Sequence, residues 1–238
     1  DTILRPMKLF KHVVAIFAAS LSLLSCGGDV ESARLASDSR ASEKVAQTLY
    51  NSAVAAENAG KLGRAIKIYE KIVLRHPLCP AASESAFRWG KLLEKDDELL
   101  EAFEAYDAIL VKYPASPHYA EAMQRQEIIA TQAAEGQINN SFIGFKIRVS
   151  LKKSAEMLAK VRQNAPRAIS AEKAQYTIGK IYQSRGNQTN EAALAINAFR
   201  ELTRDFPDSQ YAPDAQYQIG EILLDQSKKG NQDSANLD

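Results

Sequence analysis

The side chains that could carry chemistry in this sequence are those of two cysteines and three histidines. They are Cys26, Cys79, His12, His76 and His118. The histidines are far apart and two of them stand beside or near prolines, so their spacing indicates neither a metal cluster nor a Cys–His catalytic pair. The carboxylates occur at helix-surface spacings, which are typical of solvation, as at Glu94, Asp96 and Asp97. We therefore predict a protein that is not an enzyme and that holds neither metal nor cofactor.

Cys26 differs from the other thiol because it closes a segment with the composition of a secretion signal. Lys8 and Lys11 precede an uncharged apolar run at residues 13–24. A membrane-spanning helix needs roughly 20 apolar residues, which this run does not reach. Leu23-Leu24-Ser25-Cys26 resembles the lipobox of bacterial lipoproteins. That resemblance implies cleavage before Cys26 and acylation, palmitate included, of its thiol and its new amino group. The alternative is an ordinary cleaved signal in which Cys26 merely lies near the site.

The residues around the signal set the expected location and charge. Residues 1–6 precede Met7 and are predicted to be an upstream extension. Without residues 1–25 the formal charge would fall from +1 to −1, which gives no electrostatic reason to expect nucleic acid binding. In having glycine after Cys26, the sequence resembles lipoproteins of the outer membrane. This resemblance implies an anchor on the periplasmic side of that membrane. Residues 27–43 are rich in Gly, Ser, Ala and charge, which favours a flexible tether.

From about Lys44 the chain repeats a pattern of apolar residues that ends in proline. Spacings of four and three place the apolar positions on one side of a helix, and the proline stops that helix. The copies are Ala65, Tyr69, Ile72, Pro77; Ala102, Tyr106, Ile109, Pro114; Ala195, Phe199, Leu202, Pro207; and a weaker Ala155, Leu158, Val161, Pro166.

A glycine follows three of these prolines by thirteen residues, at Gly90, Gly179 and Gly220. Glycine inside a helical pattern costs about 1 kcal/mol relative to alanine, so its presence indicates close packing of another helix. The third copy carries Glu127 at this position, which makes that repeat weaker. Each unit is thus predicted to be a pair of helices.

These helix pairs resemble the tetratricopeptide repeat (TPR) consensus, which implies an all-α solenoid of four to five helix-turn-helix repeats. The expected repeats span 44–77, 83–114, 120–166, 172–207 and a partial 213–230, followed by a tail at 231–238. Ile219, Ile222, Leu223 and Leu224 make the last helix apolar. This favours a chain that continues into a further helix over one that ends on a polar capping helix.

The third repeat needs an insertion. From Gly136 to Ala155 there is no acidic residue, and the positive charges are Lys146, Arg148, Lys152 and Lys153. They lie among apolar residues that include Phe142, Phe145 and Ile147. One interpretation is an extended second helix with solvated lysines. The other is a basic, aromatic protrusion that contacts an acidic partner or anionic lipid.

Together, the lipobox, the repeats and motifs such as Tyr113-Pro114-Ala115-Ser116 and Phe206-Pro207-Asp208-Ser209 resemble the BamD family over about residues 7–230. The resemblance implies a non-catalytic, periplasm-facing lipoprotein scaffold of the outer-membrane β-barrel assembly machinery. Its protein partners would be a BamA-like subunit, other subunits of the machinery and unfolded outer-membrane proteins. Early repeats would meet the substrate and later ones the partner. The alternatives are a Tol-Pal or cell-envelope TPR adaptor, which Cys26 disfavours, and an accessory repeat region of a longer envelope enzyme.

In TPR arrays the first helices of successive repeats line a concave surface that holds peptides. The candidate side chains for this surface are Tyr50, Asn51, Arg88, Trp89 and Arg125. Tyrosine, tryptophan and arginine are the types that most often dominate binding energy. Trp89 has an alternative role, which is to fill the core between helices.

Overall fold

A computed structural model describes residues 28–142, 145–184 and 189–235 of the chain. The signal segment at 1–25, Cys26 and Gly27 therefore lie outside the described residues. Over the described ranges the chain forms nine α-helices and one two-stranded hairpin: α1 Gly28–Asn58, α2 Leu62–Arg75, α3 Ala81–Lys95, α4 Leu99–Lys112, α5 Tyr119–Ala134, β1 Asn139–Phe142, β2 Phe145–Arg148, α6 Leu151–Asn164, α7 Ile169–Gln183, α8 Thr189–Asp205 and α9 Ala212–Ala235. The expected TPR-like solenoid is confirmed.

The prolines end the second helix of each repeat, as predicted. Helices α2, α4, α6 and α8 each end two residues before a proline of the repeated pattern. The residue between them leaves the helical region because proline crowds its backbone. His76, for example, has φ −132° and ψ 47°, and its N–H donates to the carbonyl of Ile72 at 2.8 Å.

The repeated apolar positions form the core. Ala65, Tyr69 and Ile72 are fully buried, and their counterparts in the later copies are buried as well. Each helix packs against its neighbours in sequence, and the first helices of adjacent repeats also touch, as α1 and α3 do. The array therefore buries one stripe of every helix, which is what the four-and-three spacing requires.

Two of the three glycines lie where helices approach closely. A Cβ on Gly90 would lie 2.8 Å from the ring of Tyr106, and one on Gly179 would lie 2.4 Å from the ring of Phe199. Gly220 is different, because a Cβ there would meet nothing within 4 Å. The prediction of close packing at Gly220 is wrong, since in the described part of the chain no helix follows α9 to cover that side.

In repeats one to three, the second residue after the end of the first helix has a positive φ. Gly60, Asp97 and Gly136 have φ values of 69°, 63° and 71°. In this conformation the following N–H turns back to the helix, as when Lys61 donates to the carbonyl of Ala56 at 2.9 Å. Gly60 thus lies beyond the first helix, and the turn it forms sends the chain back as α2.

The tether predicted for residues 27–43 is wrong over the part described. Helix α1 begins at Gly28 and runs without interruption into the packed part of the repeat. The segment contains alanine, leucine, arginine and glutamate, which favour helix, and a helix already anchored by buried Ala46 extends at low cost. The last helix likewise runs past Gly230 to Ala235.

The insertion forms an antiparallel hairpin, so the prediction of an extended second helix is wrong. Asn139 pairs with Arg148 and Phe142 with Phe145. Phenylalanine and isoleucine favour strands, and α6 begins only at Leu151. Ser150 caps that helix, because its side chain accepts a hydrogen bond from the N–H of Lys153 at 3.2 Å.

Candidate peptide-binding surface

The first helices of repeats one to three, α1, α3 and α5, are joined by ion pairs. Arg88 Nη1 of α3 lies 3.2 Å from Glu57 Oε2 of α1. Between α3 and α5, Lys91 Nζ lies 3.2 Å from Glu121 Oε1, and Arg125 pairs with Glu94. We call the solvent-facing side of these three helices the first-helix surface.

Tyr50 and Arg88, both predicted for this surface, are brought together. The Arg88 guanidinium carbon lies 6.0 Å from the centre of the Tyr50 ring, within reach of a cation–π contact. Glu57 accepts hydrogen bonds from Tyr69 at 2.8 Å and from Arg88 at 3.2 Å. Burial, followed by the bond to Glu57, raises the pKa of Tyr69 well above its ordinary value, so its hydroxyl remains a donor.

The same cluster recurs one repeat later. Tyr106 donates to Glu94, and Arg125 Nε donates to Glu94 Oε1 at 2.9 Å. The three residues lie 37 positions after their counterparts, from Glu57 to Glu94, Tyr69 to Tyr106 and Arg88 to Arg125. The interpretation of Glu94 as a merely solvated carboxylate is wrong, since its side chain is only 12% exposed and holds two partners. Comparison of polar residues at the repeat spacing could have identified the cluster.

A second carboxylate fixes Arg88. Its Nε donates to Glu84 Oε1 at 2.7 Å, and the other Glu84 oxygen lies 2.6 Å from His118 Nε2. Burial raises the pKa of Glu84, but the hydrogen bonds from Arg88 and His118 outweigh burial and lower it below its ordinary value. The His118 ring stacks on Phe87 with the centres 4.0 Å apart. This arrangement links α3 to the start of α5.

The other predicted residues have different surroundings. Asn51 is exposed and accepts a hydrogen bond from Gln47 at 3.0 Å. Trp89 is half-buried and packs against the core clusters of both the first and the middle repeats, which is the alternative role considered for it. Arg125 belongs to the second Tyr–Glu–Arg cluster. Tyr50, Arg88 and Arg125 are thus the predicted residues whose partners are on the first-helix surface.

The four basic residues of the insertion are divided between strand and helix. Lys146 and Arg148 are in β2, and their side chains lie outside the described residues. Lys152 is exposed in the first turn of α6. Lys153 Nζ lies 3.4 Å from Glu104 Oε1 of α4, so part of its charge is balanced within the array.

A small polar cluster with no signal in the sequence pattern lies at the junction of repeats one and two. Ser42 Oγ is 2.8 Å from His76 Nδ1 and 3.8 Å from Cys79 Sγ. The structure therefore brings a histidine and a cysteine to the same serine, although no Cys–His pair was expected. Within residues 28–142, 145–184 and 189–235, no group of three or more His, Cys, Asp or Glu side chains could hold a metal ion. The same ranges contain no helix of the length and apolarity that crossing a bilayer requires.

A half-buried network centred on Asp107 joins α4, α5 and α6. Asp107 Oδ1 accepts from Gln126 and Asn164, each at 2.9 Å, and Oδ2 accepts from Lys160 at 3.0 Å. Burial raises the pKa of Asp107, but the hydrogen bonds from Asn164, Lys160 and Gln126 outweigh it and hold the pKa below its ordinary value. The ionised carboxylate thus stabilises the middle of the array.

We expect Asp107→Asn to lower the free energy of unfolding at pH 7 by about 1.5 to 3 kcal/mol, the usual contribution of a hydrogen bond to a charged group. A carboxyl group with a depressed folded pKa stabilises fully above its unfolded pKa of about 4, and this contribution disappears as pH falls through the folded pKa. The difference between wild type and variant should therefore shrink below about pH 4. Urea denaturation across pH measures it. Asp225→Asn, at an exposed pair with Lys229, is the control with little effect. A difference that is the same at every pH would contradict the role of the Asp107 charge.

The chain is similar to solved structures of repeat proteins and to one protein family. A search of curated proteins finds no significant match. Among solved structures, MamA is 17% identical, with 75% of this chain and 96% of that chain covered and a TM-score of 0.30. The TPR-like repeats of a kinesin light chain protein from Podosopora anserina are 14% identical, with coverage of 77% and 95% and a TM-score of 0.28. Residues 42–224 match the family YfiO, described as outer membrane lipoprotein. The chain therefore belongs to the YfiO, or BamD, family of outer membrane lipoproteins, as the sequence resemblance implied.

Proposed function

We propose that this protein is a lipid-anchored, periplasm-facing scaffold for the assembly of outer-membrane β-barrel proteins. It binds a membrane-embedded partner subunit and unfolded barrel precursors, and it catalyses no reaction. The observation that carries this proposal is the family match over residues 42–224. The repeat array supports it, because stacked helix pairs offer an extended surface of the kind that holds peptides.

Precursor segments bind to the first-helix surface of repeats one to three. Its ion pairs are partly exposed, as at Arg88 and Glu57, where the side chains are 35% and 27% exposed. Pairs of this kind contribute only about 0 to 1 kcal/mol, so polar groups of an incoming peptide can replace them. Tyr50, half-buried beside Arg88, offers a ring on which aromatic residues of a precursor can pack.

The later repeats bind the membrane partner. Helix α9 carries large apolar side chains that are exposed, with Tyr217 at 61%, Leu223 at 45% and Leu224 at 50%. Exposed apolar groups on adjacent positions are typical of interaction sites. Purification of the intact lipoprotein from membranes tests the assignment. Recovery of barrel-assembly subunits supports it, whereas recovery of Tol-Pal components instead would contradict it.

We expect the double substitution Tyr50→Ala with Arg88→Ala to reduce crosslinking of a barrel precursor peptide by about fivefold or more. Residues of these types often contribute more than 1 kcal/mol each to binding. The crosslinker is placed on the peptide, and circular dichroism checks that the helices persist. Arg64→Ala with Arg200→Ala changes two exposed arginines on second helices, outside both proposed binding surfaces, and is the control. Equal crosslinking by the double variant and wild type would remove the first-helix surface from the proposal.

A further inference from the structure

An aromatic ring of the second helix is held in the same way in repeats one, two and four. Tyr69 of α2, Tyr106 of α4 and Phe199 of α8 are fully buried. Each ring packs at a tilt on an aromatic side chain of the first helix, with ring centres 5.8 to 6.3 Å apart and planes at 51° to 58°. The partners on the first helices are Tyr50, Phe87 and Tyr176. Tilted aromatic pairs stabilise by more than their buried area alone.

A small residue follows each of these first-helix aromatic residues by three positions. The small residues are Ala53, Gly90 and Gly179. A Cβ added at either glycine would meet the ring that packs there. Residues three positions apart are neighbours on a helix, so the aromatic and the small residue together form a receiving site for the ring. Repeat three lacks the arrangement on both of its helices, with Gln124, Glu127 and Leu158 at the corresponding positions.

Helix α9 contains the same receiving site without a ring in it. Tyr217 and Gly220 are at the aromatic and the small position, and Leu223 follows on the same side of the helix. Among the described residues, nothing lies within 4 Å of a Cβ at Gly220. Leu223 is 45% exposed, whereas Leu93, its counterpart in repeat two, is 5% exposed. This side of α9 therefore has the residues that receive a second helix but is uncovered.

The residue four positions after the small one indicates which ring fits. Glu57 and Glu94 are at that position in repeats one and two, and each accepts a hydrogen bond from the hydroxyl of the buried tyrosine. Repeat four has Gln183 there, and its ring is Phe199, which has no hydroxyl. Helix α9 has Leu224. A tyrosine hydroxyl buried beside leucine would lose its acceptor, which is costly, so the site favours phenylalanine.

A second copy of the chain is a poor occupant for this site. The aromatic rings of α2, α4 and α8 are already buried in their own repeats, and α6 has Leu158 at the corresponding position. Over the described ranges no second helix therefore has a free ring to offer. Gln216 and Ser227, which are exposed on the same side of α9, are uncharged. Apolar contact rather than charge therefore selects the occupant.

We propose that the side of α9 formed by Tyr217, Gly220, Leu223 and Leu224 is a docking site for an amphipathic helix of the membrane partner. That helix places a phenylalanine over Gly220 and against Tyr217. It has a small residue four positions before the phenylalanine and a leucine or isoleucine three positions after it, as the second helices of this chain do. The inference rests on the proposed function, which assigns the later repeats to this partner.

The test uses the full-length lipoprotein in detergent and a fluorescent, side-chain-stapled peptide with the sequence of α8, which includes Phe199 at the required spacing. Two further peptides have tyrosine or alanine in place of that phenylalanine. The protein variant is Gly220→Leu, which fills the receiving site. Its matched control is Gly63→Leu, at an exposed glycine of α2 where a Cβ also meets nothing within 4 Å. Fluorescence anisotropy measures the dissociation constant at low and high salt, and circular dichroism checks that each variant is folded.

We expect Gly220→Leu and the alanine peptide each to weaken binding by about tenfold or more, since each removes the burial of a phenylalanine ring. The tyrosine peptide should bind about threefold to tenfold more weakly than the phenylalanine peptide, because its hydroxyl has no acceptor at Leu224. Gly63→Leu should bind the peptide as the wild type does, and high salt should not weaken binding.

Equal binding by the wild type and Gly220→Leu would overturn the inference, and so would tighter binding of the tyrosine peptide. Analytical ultracentrifugation tests the other occupant. Self-association of the wild type that disappears in Gly220→Leu would assign this side of α9 to a second copy, which also overturns the inference.

Failure of this inference can be separated from failure of the proposed function. The wild-type lipoprotein and Gly220→Leu are each purified from membranes. Recovery of barrel-assembly subunits with the wild type but not with Gly220→Leu supports both. Equal recovery with the two proteins overturns the docking site and supports the proposed function. Absence of these subunits from the wild-type preparation overturns the proposed function and the identity of the partner, whereas peptide binding that Gly220→Leu weakens would still support a helix-docking site on α9.

Discussion

Gly179→Leu is expected to lower the melting temperature of the array by about 6 to 12 °C. A Cβ at residue 179 would lie 2.4 Å from the ring of Phe199, which is fully buried. Leucine adds three further carbons at a point where the ring cannot move into solvent without opening the core of repeat four. Overpacking of this kind costs typically 1 to 3 kcal/mol, and we expect the upper end of that range. For a chain of this size each kcal/mol lowers the melting temperature by about 2 to 4 °C.

Gly220→Leu is the matched control for this experiment. The two glycines occupy the same position of their repeats, thirteen residues after a proline, but nothing lies within 4 Å of a Cβ at Gly220. Leucine is the better helix former by roughly 1 kcal/mol, so this variant should melt at or slightly above the wild-type temperature. Thermal unfolding monitored by circular dichroism compares the two. Similar losses at both positions would show that glycine, rather than close packing, is required there.

The contrast between Gly179 and Gly220 shows which parts of the fold the repeated pattern predicts and which it does not. Period and side-chain size are local properties, so the repeated Ala–Tyr–Ile pattern and its proline were sufficient to place helices, core positions and helix ends. The same pattern does not show which helix or side chain packs against each position. Gly220 fits the repeat, yet it is exposed, because no further helix packs against it in the described part of the chain.

The polar part of the candidate surface was harder to predict because its residues act in groups. Arg88 and Tyr50 were identified from their types, but Glu57 and Glu84, which determine how Arg88 is held, were not. A single carboxylate on a helix gives no signal that distinguishes solvation from a cross-helix bond. The recurrence of tyrosine, glutamate and arginine at a spacing of 37 residues is the signal that distinguishes them, since each member comes from a different helix.

The structure differs from the prediction in two segments, because neither contains a periodic pattern long enough to decide its structure. Strands of four residues contain only two residues per face, too few for an alternation to be recognised beside the helices around them. Residues 28–43 have little apolar periodicity, so a tether was expected. Their helix propensity and their continuity with a packed helix decide the outcome instead.

Cys26→Ala is expected to abolish lipid labelling and to release the protein from membranes. Cys26 lies outside the described residues, and the expectation rests on Leu23-Leu24-Ser25-Cys26 and on the family match. Each buried CH₂ of an acyl chain contributes about 0.8 kcal/mol to membrane affinity, so two or three chains hold a domain almost permanently. Because alanine has no thiol to acylate, the loss of lipid labelling and of membrane attachment should be nearly complete. Labelling with a fatty-acid analogue measures modification, and sedimentation of membranes measures attachment.

The second cysteine provides the matched control. Cys79→Ala removes a thiol that lies beside Ser42 at the junction of repeats one and two, far along the chain from the lipobox. This variant should be labelled and sediment like the wild type, because its acceptor at residue 26 is intact. Labelling that persists in Cys26→Ala but disappears in Cys79→Ala would place the lipid on the repeat domain and contradict the lipobox. Labelling that persists in both single variants would also contradict it, since the acceptor would then not be Cys26.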